Sequence, residues 1–261
     1  MILGSRDIMD NISVTACIVT YNNATCIKEC IESILKETKI KNFKLIVSDN
    51  CSTDGTVPLI KSVFPEVSII ENSYNGGFGY GHNKVLREIK SKYHLVINPD
   101  IVFGEDIISK LVSYMEENDD VGMITPKVLN RDGTEQYLPK RDPSIRYVIV
   151  SKFKPFKHFR DEYTRKMEKL ETATEIDSCT GCFFMIRTQL FKKLKGFDNR
   201  FFMYYEDADL SRRARKYQKL IFYPEGYVYH DWKRDNMHSL SGVLSFLKSM
   251  MIYFKKWKWR F

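Results

Sequence analysis

From residue 12 the chain alternates between short apolar runs and polar clusters. Residues 12–19 (ISVTACIV) are unbroken and β-branched, a polar loop Thr20-Tyr21-Asn22-Asn23 follows, and Ile27, Ile31, Ile34 and Leu35 then recur at helical spacing. The pattern predicts strand, loop, helix. Residues 43–47 repeat the strand signal before Asp49-Asn50-Cys51-Ser52-Thr53-Asp54-Gly55, and residues 57–63 predict a second helix with Thr56 near its start. Residues 67–70 predict a third strand, which empties into the glycine-rich stretch 72–83; Val85, Leu86 and Ile89 mark the helix after it, and residues 95–97 a fourth strand. Beyond residues 121–128 the pattern loosens through a turn at Asp132-Gly133 and a basic stretch, 152–169, until residues 176–186 predict a further strand.

Strands alternating with helices predict an α/β fold: a mostly parallel central sheet flanked by helices, with functional loops gathered at the carboxyl ends of the strands. The run YHLVINPDIVF shows the consequence. A strand stops at Asn98-Pro99-Asp100, which sets a carboxylate at the mouth of the sheet, where a ligand would be. Asp49 and Thr20-Tyr21-Asn22 also follow strands, so these loops and the segment Gly76-Gly77-Phe78-Gly79-Tyr80-Gly81 would line one crevice. That segment lacks the spacing of a dinucleotide-binding fingerprint and the Lys-Ser/Thr of a P-loop. It reads either as backbone approaching a phosphate or ribose, or as a turn with no ligand. Two carboxylates beside a phosphate make chemical sense if one reads a base or ribose and the other holds Mg²⁺ or Mn²⁺.

Composition narrows the class without choosing a partner. The 261 residues, 43% hydrophobic and 13% aromatic, suffice for one large core, and a net charge of +8 favours anionic partners. No stretch reaches the length of a signal peptide or a spanning helix, so a cytoplasmic chain is expected. The six cysteines lie at irregular spacings and are expected as free thiols; Cys179-Thr180-Gly181-Cys182 is the one CxxC, a poor zinc site inside an apolar run. Glu206-Asp207-Ala208-Asp209 before Arg212, Arg213 and Arg215 fits a helix with acids in its first turn, which its dipole alone would explain.

Taken together, CIVTYNN, IVSDNCSTDGT, NSYNGGFGYGHN, VINPD, GCFFMIR, GFDNRFFMYYEDADLSRRAR and VYH resemble the inverting glycosyltransferases of family 2, in family order over nearly the whole chain, and most closely their rhamnosyltransferase branch. The resemblance implies the GT-A nucleotide-diphospho-sugar transferase fold. A single domain over 1–240 is expected, with a donor half at about 12–128 and an acceptor half at about 129–240. It also implies a nucleoside-diphosphate sugar donor, a divalent metal and one-step displacement at the anomeric carbon. By position, Thr20, Tyr21, Asn22, Asp49 and Asn50 match the surroundings of the donor's base and ribose. Gly76, Gly77, Phe78, Gly79 and Asn83 match the segment that closes over the nucleotide. Asn98-Pro99-Asp100 stands in place of the metal motif with an amide for its first acid, which leaves Asp100 as its charged ligand. His230 matches the C-terminal metal ligand, with His238 close by. Asp207 matches the catalytic base, Glu206 and Asp209 being its neighbours in the acidic cluster, and Gly181, Cys182 and Glu206 fall on the acceptor side.

The stretch 241–261, SGVLSFLKSMMIYFKKWKWRF, places Val243, Leu244, Leu247, Met250, Met251 and Phe254 at helical spacing before a cluster of lysines and tryptophans. It reads as an amphipathic helix, either lying on a membrane surface or packed on the core with a solvated basic end. Nucleic acid is not expected as a partner. The function expected from the resemblance is transfer of a sugar, most plausibly L-rhamnose from dTDP-rhamnose, to a lipid-linked or growing bacterial polysaccharide on polyprenyl diphosphate at the inner membrane face. A UDP-linked galactofuranose or N-acetylhexosamine donor, and a non-catalytic binding subunit, are the alternatives.

Overall fold

The computed structural model describes residues 13–231 and 239–261. In chain order the elements are β1 (Ser13–Thr20), α1 (Ile27–Glu37), β2 (Asn42–Asp49), α2 (Thr56–Val63), β3 (Ser68–Glu71), α3 (Phe78–Lys84), β4 (Tyr93–Ile97), β5 (Ile101–Phe103), α4 (Ile107–Glu117) and β6 (Val121–Leu129). There follow α5 (Ile145–Val148), α6 (His158–Tyr163), β7 (Thr174–Glu175), β8 (Phe183–Arg187), α7 (Thr188–Lys193), α8 (Glu206–Ala214), β9 (Lys219–His230) and α9 (Leu240–Trp257).

One sheet runs through the molecule in the order β3-β2-β1-β4-β8-β6-β9-β5, with β7 beside β9. The first four strands are parallel, as the alternation predicts. The sheet as a whole is mixed, because β8 runs antiparallel to both β4 and β6, and β9 antiparallel to β5 and β7. Strands buried on both faces explain the unbroken apolar runs: Ala16, Ile18, Leu45, Val47, Leu95 and Ile97 enter one core, and Cys17, Val19, Ile46 and Val96 the other.

Two elements differ from the sequence reading. The third helix is formed by residues 78–84 of the glycine-rich stretch and not by Val85 to Ile89. Of the expected strand over 176–186 only residues 183–186 form one, in β8, the two-residue β7 ending just before the range; the backbone between bonds elsewhere, with Cys179 N–H donating to Ser211 Oγ (3.1 Å) and Gly181 N–H to Asp207 Oδ2 (2.9 Å).

A third apolar cluster joins the turn before α8 to α9. Phe201, Tyr205 and Ala208 pack on Met250, Tyr253 and Phe254. No helix among the described residues is long and apolar enough to cross a membrane.

Candidate active site

Because β1 pairs in parallel with both β2 and β4, the loops after these strands emerge together at one edge of the sheet. Asp49 closes β2 and is fixed by three donors: Thr20 Oγ1 (2.8 Å), Ser52 Oγ (2.5 Å) and Ser52 N–H (2.8 Å). It borders a cavity of about 450 Å³ lined also by Ser52, Val57, Lys61 and Asn72. Tyr21 stands exposed beside it. Asn22, in the left-handed region, clips the first two loops together: its N–H donates to Ser52 Oγ (2.8 Å) and its Oδ1 accepts from Thr53 N–H (2.8 Å).

The glycine segment does a job that its sequence does not announce. Gly77 has φ +91°, and a Cβ there would lie 2.0 Å from the Phe202 carbonyl oxygen; at Gly79 and Gly81 it would meet Phe197 at 2.7 Å and Val19 at 2.6 Å. The missing side chains admit other parts of the protein, so α3 presses flat on β1 and on the loop before α8. Two of the segment's amides are engaged, Gly77 N–H with Asn75 Oδ1 (3.0 Å) and Phe78 N–H with Phe202 O (2.9 Å). Asn50 and Asn83 are likewise committed. Asn50 is buried and donates to Gly77 O (3.0 Å), while Asn83 accepts from Phe197 N–H (2.9 Å) and donates to Phe197 O (2.9 Å) and Asn199 Oδ1 (2.7 Å).

On the opposite side of β4, the register of β5 against β9 sets His230 across from Ile101 and therefore next to Asp100. His230 Nε2 lies 3.3 Å from Asp100 Oδ1 and 3.5 Å from Asn98 Nδ2. Gln136, which the sequence did not single out, decides the tautomer. Its amide nitrogen donates to His230 O (2.8 Å) and Asn130 Oδ1 (2.9 Å), so its Oε1, 3.0 Å from His230 Nδ1, must accept the ring proton there. Nε2 then presents its lone pair toward a carboxylate oxygen that is buried and accepts no hydrogen bond. Two lone pairs at this distance suit a cation between them, and one carboxylate plus one imidazole, completed by substrate phosphate and water, fits Mg²⁺ or Mn²⁺. Among the described residues no third His, Cys, Asp or Glu joins this pair, and His238 lies outside them.

Gln136→Leu removes the acceptor that holds the ring. It is expected to weaken Mn²⁺ binding by about 10–100-fold, read by electron paramagnetic resonance with nucleoside diphosphate present, while Gln136→Glu, which keeps the acceptor, restores it. Equal Mn²⁺ affinity in Gln136→Leu would remove Gln136 from the site.

The acidic cluster separates into three roles. Asp207 is partly exposed, with Oδ1 accepting from Ala208 N–H (2.7 Å) and Oδ2 from Gly181 N–H (2.9 Å). Glu206 is buried, Oε2 has no partner, and burial, with the Asp207 charge adding, pushes its carboxyl up to about 8. It is therefore protonated at neutral pH. Asp209 is fully buried and spent on Arg213 Nε (2.8 Å), Lys256 Nζ (2.6 Å) and Trp257 Nε1 (2.8 Å). Asp207 is left as the charged, accessible carboxylate of the three.

Environment thus distinguishes neighbours that the sequence leaves level. The cluster also follows two consecutive non-glycine residues in the left-handed region, Tyr204 (φ +70°) and Tyr205 (φ +67°), and Tyr205 is held there by the rings of Phe246, Tyr253 and Phe254.

The Glu206 carboxyl makes stability depend on pH. Its folded pKa lies above its unfolded value, so the folded chain holds an extra proton between the two, and stability falls as pH rises through that window and levels off above about 8. Relative to Glu206→Gln, the native chain is expected to lose about 1.4 kcal/mol per pH unit between pH 6 and 8 in chemical denaturation. A constant difference would show that Glu206 is ionised throughout.

Residues 181 and 182 tie the two halves of the site together: Gly181 N–H donates to Asp207 Oδ2 (2.9 Å), and Cys182 O accepts from Asn98 N–H (2.8 Å). Burial pushes the Cys182 thiol up to about 12. Cys182 itself packs in the core, which corrects its assignment to the acceptor cleft; Gly181, buried too, faces the Phe78 ring and Asp207 Cβ. All six cysteines are free, Cys51 is exposed, and the pair 179/182 is buried.

The expected amphipathic helix exists, and its two faces divide between the two readings given for it. Met250 and Phe254 are buried against the protein, Trp257 binds Asp209, and Trp259 stacks on Phe254 at 4.8 Å, whereas Leu244, Leu247 and Met251 are exposed.

Known proteins share this arrangement. An N-acetylglucosaminyl-diphospho-decaprenol L-rhamnosyltransferase of Mycobacterium tuberculosis is 25% identical over 229 residues, 81% of this chain and 74% of that protein. The rhamnosyltransferase WbbL of Escherichia coli is 26% identical over 231 residues, 82% of this chain and 83% of its own. Among solved structures, GalNAc-T7 with UDP, GalNAc and Mn²⁺ superposes with a TM-score of 0.64 at 16% identity, over 85% of this chain and 44% of that one, so this chain spans less than half of it. That likeness shows a GT-A-type fold. A model described as the N-terminal domain of galactosyltransferase matches residues 161–239, and the model of glycosyl transferase family 2 matches residues 15–195, more than half of the chain. With that span carrying β1, β2 and β4 and all three of their loops, the chain belongs to glycosyl transferase family 2 and is a glycosyltransferase.

Proposed function

We propose that this glycosyltransferase is inverting and metal-dependent, and that it transfers L-rhamnose from dTDP-rhamnose to a lipid-linked glycan on polyprenyl diphosphate during bacterial cell-surface polysaccharide synthesis. The observation that carries the reading is the placement of Asp207 and the Asp100–His230 pair about one short segment: Gly181 N–H donates to Asp207 Oδ2 (2.9 Å), Asn98 N–H donates to Cys182 O (2.8 Å), and His230 Nε2 lies 3.3 Å from Asp100 Oδ1. The rhamnosyltransferase relatives support the sugar, and the decaprenol-linked substrate in the name of one supports the acceptor. On this reading the chain works at the cytoplasmic face of the cell membrane.

The chemistry follows from the residues. Asp49, on the wall of the 450 Å³ cavity, and the exposed ring of Tyr21, next in the chain to the Thr20 that bonds Asp49, would take the base and ribose. Asp100, His230 and Asn98 would hold the divalent cation, which supplies charge neutralisation at the diphosphate. Asp207 takes the proton of the acceptor hydroxyl as its oxygen bonds to the anomeric carbon, the bond from that carbon to the diphosphate oxygen breaks, and nucleoside diphosphate leaves with the electron pair. The two backbone amides on Asp207 hold its carboxylate aimed. Glu206 beside it, buried and held toward its neutral form, adds no second negative charge.

The galactosyltransferase-type match over 161–239 favours a second donor class, UDP-linked galactofuranose or N-acetylhexosamine. Nucleotide release from a panel of dTDP- and UDP-sugars, with Mg²⁺ or Mn²⁺ and a polyprenyl-diphosphate sugar acceptor, separates the two. Turnover with dTDP-rhamnose alone upholds the first reading, turnover with a UDP-sugar replaces it by the second, and no turnover with any donor while nucleotide still raises the melting temperature would mean a missing acceptor or a binding subunit.

A further inference from the structure

Helix α9 has two apolar faces, and only one of them is covered. Met250, Tyr253 and Phe254 meet the body of the protein, while Leu240, Leu244, Leu247 and Met251, at successive spacings of four, three and four, are 87%, 67%, 44% and 41% exposed. They form a solvent-facing ridge three turns long, roughly 16 Å. Val243 flanks it, and Lys248 and Lys255, both exposed, fall one helical turn beyond Leu244 and Met251.

The neighbouring segment has the same character. Lys152 Nζ sits 5.3 Å above the Phe246 ring of α9, and the stretch around it exposes Ile149, Phe153 and Phe156. Neither region carries an acid. Residues 236–261 contain Lys248, Lys255, Lys256, Lys258 and Arg260, and residues 143–160 contain Arg146, Lys152, Lys154, Lys157 and Arg160, with no Asp or Glu in either.

We propose that the Leu240–Leu244–Leu247–Met251 ridge, with the adjoining residues 149–157, docks on a lipid bilayer with anionic headgroups. Exposed leucines and phenylalanines ringed by lysines suit such a surface: the apolar side chains enter the acyl boundary and the cations meet phosphate. The tryptophans at the chain's basic end take no lead in this, since Trp257 is engaged by Asp209 and Trp259 lies on Phe254. The rival occupant is a second copy, for which the heptad-like spacing is suitable. Charge argues against it. A two-fold contact through the ridge would bring Lys248 and Lys255 of each copy toward those of the other, with no acid in α9 to offset them.

The inference deepens the transfer reading, on which it rests, by naming the part of the chain that meets the membrane, and its test reads lipid binding and not turnover, so that the two can fail separately. The complete chain is sedimented with vesicles of phosphatidylcholine alone or with about one third phosphatidylglycerol, and its oligomeric state is followed by sedimentation velocity without lipid. Partition onto the anionic vesicles is expected to exceed that onto neutral ones and to weaken with salt, and to fall about tenfold or more in Leu244→Glu/Leu247→Glu, whose melting temperature stays unchanged because both side chains are already in water. Lys248→Glu/Lys255→Glu should lose much of the salt dependence and retain the monomer. Absence of binding to anionic vesicles, equal binding by Leu244→Glu/Leu247→Glu, or a dimer that this variant dissolves would each overturn the proposal.

Discussion

Asp207→Asn is expected to turn over nucleotide sugar about 10²–10⁴-fold more slowly than the native chain, the range for removal of a positioned general base. The substitution is close to isosteric but not silent. Asp207 accepts a backbone N–H on each oxygen, from Ala208 and Gly181, and an asparagine can satisfy only one of them, because its amide nitrogen would face the other donor. A cost of about 1–3 kcal/mol in stability should accompany the kinetic loss. Single-turnover kinetics beside a melting curve with and without nucleotide separates these effects. The base assignment survives if the variant is folded, still binds nucleotide and has lost turnover. It fails if turnover stays within about tenfold of native, or if Glu206→Gln alone reproduces the full loss.

Asp209→Ala is expected to be the most destabilising single change in the acidic cluster, by about 3–5 kcal/mol in chemical denaturation. Asp209 is fully buried and is the shared partner of Arg213, Lys256 and Trp257. Removing it leaves cations and an indole N–H turned toward an empty site. Two of those partners do have other acceptors, since Arg213 also donates to the carbonyls of Leu194 (2.8 Å) and Gly196 (2.9 Å) and Lys256 also reaches Asp198 (2.8 Å), so the lower end of the range applies if they relax onto these. The effect should reach function too. Trp257 would lose the bond that fastens the end of α9, and with it the support for Tyr205. A drop below about 1 kcal/mol would mean that this contact does not anchor the helix.

What the sequence revealed was whatever depends on neighbours close along the chain. β1, β2 and β4 were legible because strands buried on both faces must be continuous apolar runs, and the acids that close β2 and follow β4 were legible because those runs stop abruptly. The antiparallel part of the sheet was not, since β8 and β9 take their pairing from partners far away, as Phe183 does across from Ile97. The packing of the glycine stretch was hidden for the same reason. Its small residues also make room for Val19, Phe197 and Phe202, up to 125 positions distant, which no local pattern announces. Gln136 lies in a loop without periodicity, and only the fold brings it to His230, 94 positions away. Choosing among Glu206, Asp207 and Asp209 required burial and partners, which spacing does not encode.

The contact between α9 and the turn before α8 also bears on when the protein becomes competent. A chain emerges from the ribosome amino-terminus first. The four parallel strands of the donor side are complete well before residue 130, yet Tyr204 and Tyr205 hold their left-handed turn only against rings at 246, 253 and 254. A nascent chain can therefore form the loops after β1, β2 and β4 early, while the residues around Asp207 take their final shape only after α9 has been synthesised, so unfinished chains hold one part of the site without the rest.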